Sequence, residues 1–118
     1  MTRLAYEEIP PLSRSEGLQM LLEGDGPTRS RALLAFALHD EDWRWVQDLS
    51  LELAGDADPA IRATAALALS HLARIHRKLD LDKVLPVLDR LRQDSAIAGR
   101  VDDVLSDLEI FLDLPPHG

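Results

Sequence analysis

Apolar residues recur at steps of three and four along most of the chain, the spacing of one face of a helix, and no stretch alternates convincingly as a strand would. The clearest run is 58–76, DPAIRATAALALSHLARIH. There Ile61, Ala65, Ala68, Leu69, Leu72 and Ile75 share one face. Asp58 suits an N-cap, and Pro59 suits the first helical position, where its missing N–H costs nothing. Alanines at 63, 65, 66, 68 and 73 leave little side-chain bulk. The run therefore predicts a buried central helix that its neighbours approach closely.

The same reasoning divides the rest of the chain. Pro10-Pro11 forbids helix in residues 1–12, which read as an extended tail whose Leu4, Tyr6 and Ile9 can cap the body. Ser13-Arg14-Ser15-Glu16 matches a capping box and opens a helix to about Leu22. Gly24-Asp25-Gly26-Pro27 predicts a tight turn, followed by a second helix from Thr28 to His39, apolar on every side in its middle. The acidic corner 40–42 caps a third helix, Trp43 to Ala54, with Val46, Leu49, Ser50 and Leu53 on one side and Arg44, Asp48 and Glu52 on the other. Gly55 fits a left-handed terminus.

Beyond the central helix, Arg77-Lys78 complements the helix dipole. Asp80 or Asp82 caps a fifth helix carrying Val84, Leu85, Leu88 and Leu91, whose start Pro86 should bend without breaking. Asp94 opens a sixth, with Val101, Val104, Leu105, Leu108, Phe111 and Leu112 inward, and Pro115-Pro116 stops it. One domain over 13–113 follows, with a short tail at 114–118.

Composition sharpens this picture. At 118 residues the chain suits one core, and 46% hydrophobic with 29% charged suits a globular domain. Two Trp, one Tyr and two Phe are few, so Leu, Ala and Val must fill the interior, a palette that favours helices. The net charge of −8 repels phosphate backbones and anionic lipid, which disfavours nucleic acid and membrane as partners. The absence of cysteine excludes disulfides and thiolate chemistry. MTRLAYEEIPPL lacks the apolar run of a signal peptide, which makes a cytoplasmic protein the default expectation.

Asp58-Pro59-Ala60-Ile61 and Asp94-Ser95-Ala96-Ile97 match in register 36 residues apart, with Asp42-Trp43 a variant of the same opening. Six helices then pair as first with second, third with fourth and fifth with sixth. The pattern Asp56-x-Asp58-Pro59-x-Ile61-Arg62-x-x-Ala65-x-x-Ala68-Leu69 resembles the second helix of HEAT repeats, and Pro86 is similar to the proline that bends their first helices. The resemblance covers roughly 40–112 and implies an all-α, right-handed solenoid of about three HEAT-like pairs. Leu69-Ser70-His71-Leu72-Ala73-Arg74-Ile75-His76 with Leu79-Asp80 resembles small bacterial single-domain HEAT proteins, some of them immunity proteins against polymorphic or contact-dependent toxins. That likeness implies a cytosolic, non-enzymatic inhibitor bound to a cognate toxin.

Candidate sites are few. Among His39, His71, His76 and His117, the pair 71 and 76 is five apart and misses the i, i+4 spacing of helical metal ligands. Asp40-x-Asp42 and Asp56-x-Asp58 lack the glycine and closing glutamate of a calcium loop, so capping explains them better. No serine sits in a Gly-x-Ser-x-Gly turn, so no nucleophile is legible and no cofactor or metal is expected.

Trp45, beside Asp48 and Glu52, reads as a lid on the core or as an interface anchor. From Val101 onward the chain carries acids at Asp102, Asp103, Asp107, Glu109 and Asp113 and no lysine or arginine. With Ser106 and Ile110 these form an outer face that is either merely solvated or a dock for a basic protein. The expected partner is a basic toxin, such as a nuclease, bound by a chain that is monomeric when free. An adaptor without a toxin, or an accessory subunit of a helical-repeat enzyme or lyase, are the alternatives.

Overall fold

The computed structural model describes residues 9–115. Six helices follow in order among them: α1 (Arg14–Glu23), α2 (Gly26–His39), α3 (Trp43–Leu53), α4 (Pro59–His76), α5 (Leu81–Leu91) and α6 (Ala98–Phe111). No strand occurs among the described residues. The expected pairing holds: α1 packs on α2, α3 on α4 and α5 on α6. The second helices then pack on one another through α4, which touches both α2 and α6. The result is a short all-α solenoid-like stack of three helix pairs.

The central helix is central because it is small and apolar. Ile61, Ala65, Ala68, Leu69 and Leu72 are fully buried, as are Ala66 and Ala73 on other sides of the same helix. Ile75, expected in the stripe, is 40% exposed near the last turn. Leu33, Phe36, Val46, Val84, Leu88, Val101 and Leu108 complete the core. Leu85 departs from the expected face of α5 and is 38% exposed. Leu49 and Leu53 of α3 are only half-buried, while the amide of Gln47 is wholly buried.

Caps explain most boundaries. Ser13 and Glu16 form the reciprocal capping box. Asp58 Oδ1 accepts from Ala60 N at 2.9 Å and Asp94 Oδ1 accepts from Ala96 N at 3.1 Å; the Ile61 and Ile97 amides bond the carbonyls of the same aspartates at 3.0 Å. The two openings read as one signal share one hydrogen-bond geometry, although after Asp94 the chain makes one more turn before helix begins at Ala98.

Several boundaries differ from expectation. Asp25 caps α2 through Thr28 N, so Gly26 and Pro27 lie in the first turn of α2. Gly55 is not left-handed; among the described residues the positive φ values belong to Arg77 (55°) and Asp113 (56°). Asp113 ends α6 ahead of the prolines, with Leu114 N donating to Glu109 O at 3.0 Å in a Schellman arrangement. Pro86 is accommodated inside α5 without interrupting it. Ile9 is buried and its carbonyl accepts from His39 Nε2 at 2.7 Å, so this part of the tail does cap the body. Leu4 and Tyr6 lie outside the described residues.

Ion pairs stitch the repeats at regular places. An arginine near the start of each of the first four helices reaches an aspartate in the loop joining the next two. Arg14 holds Asp40 (3.0 and 3.1 Å), Arg29 holds Asp56 (2.7 Å), Arg44 holds Asp80 (3.1 and 3.2 Å) and Arg62 holds Asp94 (2.8 Å). Arg62 also donates to the Asp56 and Ala57 carbonyls, tying two loops together. Guanidinium and carboxylate match as planar forks, which fixes register as well as charge.

A candidate protein-binding surface

The nine residues singled out from sequence fall on α3 and α6, two helices that share α4 as a packing partner. On α3, Trp45 is half-buried. Its ring meets Phe36 edge-on, with centroids 5.0 Å apart and planes at 80°, and the Arg14 guanidinium lies 4.0 Å from its centroid. Trp45 is thus a lid on the core with a cation laid over it. Asp48 and Glu52 are exposed, and Asp48 Oδ1 accepts from Gln47 Nε2 at 3.2 Å.

The burial of α6 sorts its own candidates by direction. Asp103, Ser106 and Ile110 point away from the core, and Ile110 is 72% exposed. Asp102 turns toward the end of α5 and pairs with Arg92 at 3.1 Å. Glu109 is half-buried. Asp107 leans toward α4, where its Oδ2 accepts from Ser70 Oγ at 2.8 Å.

Between α4 and α6 runs a groove of about 390 Å³. Ala63, Thr64 and Leu67 line the α4 side, and Arg100, Asp103, Val104 and Asp107 the other. Arg100 was missed because it stands one residue before the arginine-free run that begins at Val101. The groove therefore offers two carboxylates one turn apart over an apolar floor, with one cation at the rim. Thr64 Oγ1 donates to Ser30 Oγ at 3.0 Å and fastens the same face to α2.

Beside the groove lies His71, 7% exposed. Arg74 Nη2 approaches its Nδ1 at 3.1 Å. Guanidinium only donates, so Nδ1 accepts and the neutral ring carries its proton on Nε2. Burial, reinforced by the Arg74 charge and opposed by Asp107, brings the imidazole down from 6.5 to about 4. Among the described residues no group of three or more His, Asp or Glu is placed to hold a metal ion. None of the helices is long and apolar enough to cross a membrane.

Two polar features were not legible in the sequence. Gln47 receives the Asp80 backbone N–H at Oε1 (2.6 Å) and donates to the Asp80 carboxylate (2.9 Å). Asp80 consequently caps α5 through its backbone carbonyl, which accepts from Lys83 N at 2.9 Å and Val84 N at 3.0 Å, with no side-chain bond to the first turn. Arg44 with Gln47 holds the carboxyl below its usual range. Next to it a hollow of about 370 Å³ opens where α3 begins, α4 ends and α6 ends. Trp43, Leu79, Leu81 and Leu112 give it apolar walls, and Arg44, Arg77 and Lys78 bring three cations. Arg77 is fixed there by its left-handed backbone and by donation to Phe111 O at 3.2 Å.

Fold and surface together define a small all-α, solenoid-like stack of helix pairs with a grooved, charged face. No family model and no curated protein matches the chain. A solved structure does: a chain in the crystal structure of a CDI complex from Cupriavidus taiwanensis LMG 19424 is 29% identical, with a TM-score of 0.81. The match covers 94% of this chain and 98% of that one.

Proposed function

We propose that this protein is an immunity-type inhibitor that binds a basic toxin and silences it by covering its working surface. The observation that carries the reading is the match, along nearly the whole of both chains, to a component of a CDI complex. CDI is read here as contact-dependent inhibition, which gives the partner a class. In this reading the repeats are HEAT-like, the protein is a non-enzymatic cytoplasmic monomer when free, and the outer face of α6 makes the contact. Exposed Asp103 supplies the charge, with Asp107 behind it in the groove, and exposed Ile110 the apolar anchor. A nuclease fits best, because a surface built for phosphates is the one an acidic face can mask.

The test takes as partner the product of a toxin-like reading frame next to this gene, and the lack of any such frame would itself remove the toxin reading. Wild-type protein should form a one-to-one complex with that product and restore growth to cells expressing it. Asp103→Arg combined with Ile110→Asp, both exposed, should weaken Kd at least tenfold while helix content and Tm stay put. An unchanged Kd removes α6 from the interface, and failure of the wild type to bind removes the toxin reading.

A further inference from the structure

The hollow at the junction of α3, α4 and α6 carries the opposite sign from the rest of the molecule. The chain as a whole is −8, yet Arg44, Arg77 and Lys78 converge here around one carboxylate, Asp80, which Arg44 and Gln47 already hold. Lys78 makes no ion pair among the described residues. Trp43, Leu79, Leu81 and Leu112 add apolar surface beside these exposed cations, so one occupant can meet both charge and an apolar contact. We infer that this hollow receives an aspartate or glutamate side chain of the toxin partner, flanked by an apolar residue, as a contact separate from the acidic face of α6. The inference rests on the immunity reading above and adds the polarity of the partner: basic toward α6, acidic toward Lys78.

A nucleic-acid phosphate is the wrong occupant. A phosphodiester chain carries charge at every step and would extend beyond the hollow over a molecule of net charge −8, whereas one carboxylate on a protein need not. The volume of about 370 Å³ also suits a few side chains rather than a strand of nucleotides.

The experiment measures Kd for the same toxin domain with Lys78→Glu, Lys78→Arg and Arg77→Gly. Lys78→Glu should weaken binding about tenfold or more, and Lys78→Arg should leave it near wild type. Arg77→Gly keeps the left-handed turn without steric cost while deleting the guanidinium, so it should weaken binding with little loss of Tm. A Kd within twofold of wild type for both Lys78→Glu and Arg77→Gly overturns the inference and leaves the immunity reading standing. If the wild type itself does not bind the toxin domain, both fall.

Discussion

Gly17 and Gly99 both sit in helices, where a change to alanine usually stabilises by up to about 1 kcal/mol. Their surroundings give opposite outcomes. A Cβ on Gly17 would collide with the ring of Phe36, which is 1% exposed and braced by Trp45. A Cβ on Gly99 meets nothing within 4 Å. Gly17→Ala should therefore lower Tm by several degrees and Gly99→Ala should raise it slightly, as thermal unfolding will show. His71 acts through protons. The unfolded ring titrates near 6.5 and the folded one near 4, so between those values the unfolded chain binds the extra proton. Stability is complete above pH 6.5 and declines as pH falls toward 4; His71→Asn should flatten that part of a urea midpoint-versus-pH curve. In sequence His71 stood only as one of two histidines five residues apart; Arg74, three residues on, shares its side of the helix, but Asp107 beside it was not visible. The Asp107 contact depends on packing between repeats, which spacing along one helix does not encode.

At the scale of elements, periodicity and caps were readable because both are local. Every helix lies within a few residues of where its apolar stripe and capping residue put it, and the Asp58 and Asp94 openings share their hydrogen bonds as their sequences suggest. Terminations were less legible. Gly55 looked like the left-handed residue, yet Arg77 and Asp113 take that conformation, the first held by its side chain's bond across helices to Phe111 O and the second by the local closing bond from Leu114 N to Glu109 O. The stitching arginines were equally hidden, since their partners stand 26 to 36 residues away. Arg62 and Asp94, with side chains 20% and 24% exposed, are the pair to measure. A double-mutant cycle of Arg62→Ala and Asp94→Ala should return a coupling of about 1 kcal/mol that diminishes with salt.

For the whole molecule, the charge total spoke to partners only on average. An excess of acids predicted attraction to a basic protein, but not that Arg100 would stand in the groove with Asp103 or that three cations would gather beside Trp43. A sum carries no positions, and those positions decide how a partner is oriented. Steering by the overall field still follows from the sum: the association rate with the toxin domain should fall several-fold between 50 and 500 mM salt, while dissociation changes less. The seams between repeats carry a different consequence. The first repeat gives Arg14 and Arg29, the third receives at Asp80 and Asp94, and the middle one, with Arg44, Arg62 and Asp56, does both. Copying genes would thus find the middle unit the easiest to duplicate, since a second copy would arrive already able to grip a neighbour on either side.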